Sequence, residues 1–219
     1  MPSLRWLDLV GCSQLEGLDS SLGKLTDLRI LILNECRFPS EIAGLPCMQE
    51  LYLEECTSLT ALSCLSTSLQ ILSLFGSCNV ERLNLNVWLP NLHTLNLSGC
   101  TKLKVSPEAL VTSAPSLRVL DLREWGSLKS LDCEGLSSVE HLILNGCSCL
   151  TTLSFLPTTL RTLTLEMDEE EPGSLETVED ASLPNLQDLS ITRCPKLRRL
   201  ALHSTSLHVE ESGLALHST

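Results

Sequence analysis

The sequence has few aromatic residues, few basic residues and no long apolar run. Phe, Trp and Tyr make up 3% of its 219 residues, so aliphatic side chains must fill its core. With 15 basic and 27 acidic residues the net charge is −12, which argues against a general binder of nucleic acid or anionic membranes. No apolar run approaches the roughly 18 residues of a membrane helix, and the start, MPSLRWLDLVGC, lacks a secretory signal. We therefore expect a soluble, intracellular chain.

One leucine-rich pattern recurs along the whole chain. In Asn91 to Leu103, NLHTLNLSGCTKL, the spacing is L-x-x-L-x-L-x-x-C-x-x-L. Nine copies of this pattern start 20 to 26 residues apart, and leucine-rich repeats recur every 20 to 29 residues or so. The copies begin at Leu4, Leu28, Met48, Leu69, Leu92, Leu117, Val139, Leu160 and Leu186.

The spacing of the leucines predicts the fold. The last two leucines of L-x-x-L-x-L alternate with variable residues, which indicates a short strand with one buried and one exposed face. A single copy cannot bury its own apolar face, so copies must stack. We predict an α/β leucine-rich-repeat solenoid over residues 1–202, a curved horseshoe with a parallel concave sheet of about nine short strands and an irregular or short-helix convex side. One short helix is expected near Ser106 and Pro107, and residues 203–219 are expected to form an irregular C-terminal tail.

Most of the 11 cysteines follow the repeat. Six lie eight residues after the start of their copy, where the chain leaves the strand and a buried thiol can donate to a backbone carbonyl. We expect structural thiols there, with disulfides or a zinc site as alternatives. The fourth copy carries its cysteine one residue late, which predicts a bulge or local loop at residues 75–78, and Trp125 in the sixth copy is expected to cover a core edge. The six cysteines are Cys12, Cys36, Cys56, Cys100, Cys147 and Cys194.

Exposed strand positions are the best candidates for function, because they are free to vary while the leucines are not. They lie two, four and six residues after the start of each copy. In the first four copies several are apolar beyond what the core requires, and an exposed apolar patch with aromatics and a charged rim is typical of a protein-binding site. The alternatives are simple strand propensity and packing against another domain of a longer chain. The predicted partner-binding residues are Trp6, Ile30, Ile32, Glu50, Tyr52, Glu54, Ile71 and Phe75.

The sequence shows no catalytic or metal-binding constellation. His93 and His141 occupy exposed repeat positions, and the other three histidines lie near the end of the chain. No G-x-S-x-G or H-E-x-x-H segment is present, and Cys147-x-Cys149 lacks a second pair of ligands for zinc. We expect a protein that is not an enzyme, with no catalytic residues, no metal and no cofactor.

Two segments of the chain resemble repeat sequences of a known protein family. LPNLQDLSITRCPKLRRL (183–200) and SLRVLDL (116–122), with the cysteine form of the repeat, resemble the C-terminal repeats of plant nucleotide-binding leucine-rich-repeat disease-resistance proteins over about residues 3–202. The resemblance implies the sensing and autoinhibitory region of a cytoplasmic or nuclear immune receptor. Its surface would recognise a pathogen effector, a host protein or a neighbouring domain. The family's nucleotide-binding domain with its P-loop and its N-terminal signalling domain are missing, so we expect part of a longer protein or a truncated relative.

Two other functions stay open at this point. Substrate adaptors of F-box ubiquitin ligases also use cysteine-bearing repeats, but these usually continue C-x-x-[LI]-T-D-x-G-[LI]. In this chain Cys56 is followed by TSLTALSCL and Cys147 by SCLTTLSFL, without the acidic residue and the glycine, and no F-box precedes Met1. A stand-alone protein-binding scaffold is the second alternative.

Overall fold

The protein folds into two compact units, Met1–Leu117 and Arg118–Thr219. The structure is a computed structural model, and it describes residues 3–15, 24–37, 40–42, 45–63, 65–84, 87–104, 109, 112–203, 208–209 and 215–217. Over these residues, no helical segment combines the length and the apolar character needed to cross a bilayer.

Five short parallel strands of the first unit form a sheet that we call the first repeat sheet. Each strand begins two residues after the start of its copy, as the leucine spacing predicts. Neighbouring strands pair in register, so that Leu31 lies between Leu7 and Leu51. These central leucines point to the interior, because successive side chains of a strand face opposite sides. The strands are β1 (Trp6–Asp8), β2 (Ile30–Ile32), β4 (Glu50–Tyr52), β6 (Ile71–Ser73) and β8 (Thr94–Asn96).

The second unit carries four strands at the same positions of its copies. They are also parallel and in register, and Leu142 lies between Leu120 and Leu163. Together with the first unit they supply the nine predicted strands, which confirms the leucine-rich-repeat fold. Two further strands lie in residues 203–219, for which the sequence predicts an irregular tail, and the boundary at residue 202 stays a prediction. The strands are β9 (Val119–Asp121), β11 (His141–Ile143), β13 (Thr162–Glu166), β15 (Asp188–Thr192), and the antiparallel β17 (His208–Val209) and β18 (Ala215–His217).

Short strands also run through the connections, where the sequence predicts irregular or short-helical segments. These strands begin after the L-x-x-L-x-L-x-x-C-x-x-L segment of their copy has ended, so the leucine spacing does not predict them. Among the described residues, α-helical backbone occurs at Ala109, Thr112 and Ser113, within the predicted short helix, whose expected start at 105–108 lies outside those residues. The connecting strands are β3 (Glu41–Ile42), β5 (Ala61–Leu62) and β7 (Arg82–Leu83) in the first unit, and β10 (Ser130–Asp132), β12 (Thr152–Ser154), β14 (Thr177–Ser182) and β16 (Arg199–His203) in the second.

Leucine side chains fill the interior of each unit. Leu31, Leu72 and Leu142 have 0% exposed surface, and full burial of such a side chain contributes about 1.5–3 kcal/mol. Trp125 is also buried, with 4% of its surface exposed, and its indole Nε1 has no hydrogen-bond partner within the described residues. The expectation that Trp125 covers a core edge is therefore wrong. It occupies the cysteine position of its copy, where the side chain points into the interior.

Buried thiols close the turn that follows the repeat strands. Each of four cysteines donates a hydrogen bond to the carbonyl of the leucine that directly follows the strand of the preceding copy, which confirms the expected structural role. All ten described cysteines are free, and of the six at the repeat position Cys12 is exposed and Cys194 half-buried. The donor and acceptor pairs are Cys36 and Leu9 (3.3 Å), Cys56 and Leu33 (3.1 Å), Cys100 and Leu74 (3.3 Å), and Cys147 and Leu122 (3.1 Å).

Ser77 takes the place of the thiol in the fourth copy. Its hydroxyl donates to the carbonyl of Leu53 at 2.6 Å and accepts from the backbone N–H of Cys56 at 3.0 Å. The residue before it, Gly76, has a φ of +67°, close to the +56° of Glu55 at the same position of the preceding copy. The turn is therefore the ordinary one, and the bulge or local loop predicted at residues 75–78 is wrong because a serine fills the cysteine position.

Replacement of Ser77 tests this turn. Ser77→Ala is expected to lower the free energy of unfolding by about 1–3 kcal/mol, because it leaves the buried N–H of Cys56 and carbonyl of Leu53 without their partner. Ser77→Cys is the matched control and should stay within about 1 kcal/mol of the parent protein, since it restores the donor of the other copies. Urea denaturation followed by circular dichroism measures both. Equal losses in the two variants would contradict the assignment.

Thiol reactivity tests the burial of the cysteines. Burial raises the pKa of the Cys56 thiol to about 11 and the pKa of Cys100 and of Cys147 to about 12. Because the thiolate is the reactive form, these three should react with iodoacetamide at least about tenfold more slowly than the exposed Cys149. Peptide mass spectrometry of the folded protein gives the rates, and a urea-unfolded sample is the control. Equal rates for Cys147 and Cys149 in the folded protein would refute the assignment.

Candidate functional site

Register pairing in the first repeat sheet lines up the exposed positions of successive copies. Trp6 pairs with Ile30, and Ile30 pairs with Glu50. Two residues further along the same strands, Ile32 pairs with Tyr52. Alternate side chains of a strand share a face, so these five residues lie on the face opposite the inward leucines.

A cavity of about 420 Å³, which we call the groove, lies on this face. Six of the eight predicted partner-binding residues line it, together with Asn34. The other two do not: Ile71 is half-buried in β6, and Phe75, which is 37% exposed, follows that strand. The structure thus brings most of the predicted residues together, and their role in binding stays a prediction. The groove is lined by Trp6, Ile30, Ile32, Asn34, Glu50, Tyr52 and Glu54.

The groove is apolar where it crosses β1 and β2. Trp6 is 61% exposed, and Ile30 and Ile32 beside it are half-buried. The interior does not need these side chains, because Leu31 and Leu33 on the opposite face of β2 are fully buried. The exposed apolar surface is therefore available for contact with another molecule.

Neutral donors hold the two carboxylates at the other end of the groove. The Tyr52 hydroxyl donates to Oε2 of Glu50 at 3.0 Å. The Ser73 hydroxyl donates to Oε1 of Glu54 at 2.6 Å, and Nδ2 of Asn34 donates to Oε2 at 3.1 Å. Asn34 also accepts from the backbone N–H of Glu54 at 2.9 Å. Among the described residues, no ion pair involves either glutamate.

The phenol of Tyr52 is held in its protonated form. The pKa of Tyr52 is raised from 10.0 to about 12, mainly by burial and then by the hydrogen bond to Glu50 and the charges of Glu50 and Glu54. Tyr52 therefore remains a neutral donor to Glu50 at physiological pH.

Sequence reasoning did not assign a role to Ser73, which holds one of the carboxylates. Ser73 is 19 residues from Glu54 in the chain, and only 4% of its surface is exposed. The alignment of the copies could have identified Ser73 as a neighbour of Glu54, because Ser73 pairs with Tyr52 in the adjacent copy.

The second unit repeats part of this arrangement. Asn145 accepts from the backbone N–H of Glu166 at 3.1 Å, and the Ser190 hydroxyl donates to Oε1 of Glu166 at 2.7 Å. These residues have the same positions in their copies as Asn34, Glu54 and Ser73 of the groove. The tyrosine and the first glutamate are replaced by Thr164 and Thr162. The hydrogen-bond chain is therefore shared by both units, whereas the aromatic and doubly acidic end belongs to the groove.

The groove has the chemistry of a binding surface. Glu50 and Glu54 are the two carboxylates that line the groove, and apolar and neutral polar side chains make up the rest of its lining. Within the described part of the chain, no group of three or more His, Cys, Asp and Glu side chains is placed to hold a metal. The expectation that the protein is not an enzyme stays a prediction.

The chain is similar in sequence to plant disease-resistance proteins. No family model matches the chain. It is 29% identical, over 80% of its length, to the Arabidopsis thaliana protein SUPPRESSOR OF npr1-1, CONSTITUTIVE 1, and 30% identical, over 72% of its length, to a probable disease resistance protein of the same plant. The chain spans 14% and 9% of the lengths of these relatives. A solved leucine-rich repeat protein from Bacteroides ovatus overlaps 92% of this chain and 73% of its own, with 15% identity and a TM-score of 0.40.

Titration of Tyr52, the single tyrosine of the chain, tests the geometry of the acidic end. Glu50→Gln should move the midpoint of tyrosinate absorbance down from about 12 toward 10.0, because the carboxylate that accepts from the phenol is lost. Because the pKa of Tyr52 is raised in the folded state, the protonated phenol stabilises the folded protein. This stabilisation is complete below pH 10.0 and is lost as the pH rises through about 12. Glu166→Gln is the matched control. An unchanged midpoint in Glu50→Gln would rule out the contact.

Proposed function

We propose that this chain, a leucine-rich-repeat protein that resembles the repeat region of plant disease-resistance proteins, is a recognition module that binds a protein partner in the groove. The observation that carries the proposal is the groove itself, where aromatic and aliphatic side chains that the core does not require meet a charged rim. This is the composition of a protein-interface core surrounded by polar residues.

Trp6 and Tyr52 are the proposed anchors of the interface. Trp and Tyr are enriched among residues whose truncation costs most binding energy, and both line the groove. Ile30 and Ile32 form the apolar surface beside them. Because these side chains stand on paired strands, the free protein already holds them near their binding arrangement, which lowers the ordering cost of association.

The relatives supply the biological setting of the proposal. Their similarity to this chain supports the sensing or autoinhibitory repeat region of a plant-type intracellular immune receptor, acting in the cytoplasm or the nucleus. The partner is then a pathogen effector, a host protein or a neighbouring domain of the same receptor. In each case the module recognises the partner, and any catalysis belongs to other domains or proteins.

Site-specific photo-cross-linking in cells of the source organism tests the proposal. With benzoylphenylalanine in place of Ile32, we expect a cross-linked partner species after illumination, because the side chain lies in the groove. The same photoreactive residue in place of Trp88, which is 59% exposed and does not line the groove, is the control. Equal cross-linking at both positions, or none at position 32, would overturn the proposal.

Truncation of the anchors gives a second test on the captured partner. Trp6→Ala combined with Tyr52→Ala is expected to weaken binding at least about tenfold, since two aromatic contacts are lost. Both side chains lie outside the leucine core, so the melting temperature should change little. Trp88→Ala removes an equally exposed aromatic side chain and should leave the affinity unchanged. Equal losses in the two proteins would count against the groove.

A further inference from the structure

We propose that the groove receives a basic side chain of its protein partner, with the cation at Tyr52 between Glu50 and Glu54 and an apolar neighbour over Trp6 and Ile30. The occupant is an exposed Arg or Lys that adjoins a bulky aliphatic or aromatic residue. This inference rests on the proposed function, and it names the chemistry of the segment that the groove takes.

The two carboxylates flank the tyrosine along one chain segment. Glu50, Tyr52 and Glu54 are two residues apart, so their side chains share a face at steps of about 6.6 Å. A cation placed at the ring therefore has a carboxylate on either side. Aromatic rings attract cations within about 6 Å of the ring centroid, so the ring and both carboxylates act on the same charge.

The hydrogen bonds of the groove orient these carboxylates without neutralising them. All donors to Glu50 and Glu54 that the structure shows are uncharged: a phenol, a hydroxyl and an amide. Half-buried or buried carboxylates of the second unit have cationic partners, as in the pair of Asp121 with Arg123 at 2.7 Å. Within the described residues, the groove lacks such a partner of its own, which leaves both charges open to a cationic ligand.

Other occupants fit the groove less well. A purely apolar segment would cover Trp6 and Ile30 but would also desolvate Glu50 and Glu54 without a counter-charge, which is costly. An acidic segment would meet like charges at the same place. A basic side chain avoids both penalties.

A long basic side chain also matches the apolar part of the groove. The methylene stem of Lys or Arg packs along apolar surface while the charged head stays at the polar end, and Ile32 pairs directly with Tyr52. Arg should bind more tightly than Lys, because its planar guanidinium stacks on aromatic rings and donates in a fork to carboxylates.

Selection from a display library of random decapeptides on the folded chain tests the inference. The best-enriched peptide is then synthesised, together with a copy in which each Arg or Lys is replaced by the neutral citrulline. Binding of both peptides is measured by fluorescence anisotropy to the parent chain, to Glu50→Gln, to Glu54→Gln and to Glu166→Gln. The last variant is the matched control, because the Glu166 carboxylate accepts from a serine hydroxyl as that of Glu54 does, without an adjoining tyrosine.

The inference predicts enrichment of Arg or Lys next to a bulky apolar residue. Replacement by citrulline, Glu50→Gln and Glu54→Gln should each weaken binding at least about tenfold, because each leaves one charge of a close pair without its partner. Glu166→Gln should leave binding unchanged. Raising the salt concentration should weaken the parent complex, since part of the attraction is between charges.

Two other outcomes would overturn the inference in distinguishable ways. Enriched peptides that depend on Trp6 and Ile32 but carry no basic residue would refute the basic occupant and leave the proposed function intact. Basic peptides that bind Trp6→Ala and Glu54→Gln as tightly as the parent chain would show that their site is elsewhere. Failure of the proposed function itself would appear independently, as loss of the cross-link at position 32.

Discussion

In-register parallel pairing is the constraint on which the rest of the structure depends. In the first unit it places the inward leucines, such as Leu31 and Leu51, directly beside one another. A shift by one residue would exchange these leucines with the side chains of the opposite face, because side chains alternate along a strand. The same pairing that fills the core therefore also places the isoleucines of β2 beside Tyr52 and the glutamates to form the groove. Stability and the candidate site share one cause.

Hydrogen bonds between copies hold the turns after the strands and one carboxylate of the groove. The thiols, and Ser77 in their place, tie the end of one strand to the preceding copy, which holds the turn where the chain leaves the sheet. Asn34 and Ser73, which precede the thiol position in their own copies, donate across copies to the carboxylate of Glu54. Polar contacts that join neighbouring copies thus fix the position of the Glu54 carboxylate, whereas Glu50 is bonded within its own copy by Tyr52.

The strands of the repeat sheets were predictable from the sequence, because the leucine spacing directly encodes which side chains point inward. Six of the groove residues followed from the same count, since an exposed position is defined by its distance from a leucine. The connecting strands, such as Ala61–Leu62, were not predictable, because they begin after the leucine pattern of their copy has ended. Ser73 and Trp125 show a further limit. Ser73 bonds a residue 19 positions away, and Trp125 is buried at the position where six other copies carry a cysteine, so neither environment follows from the residue type alone.

Carboxyl footprinting of the complex with the captured partner tests the central claim most directly. A carbodiimide couples a small amine to exposed carboxylates, and mass spectrometry reports the extent of labelling at each residue with and without the partner. If the groove is the binding surface, Glu50 and Glu54 lose labelling in the complex while Glu166, the counterpart of Glu54 in the second unit, keeps it. Unchanged labelling of Glu50 and Glu54 in a fully bound sample would contradict the account.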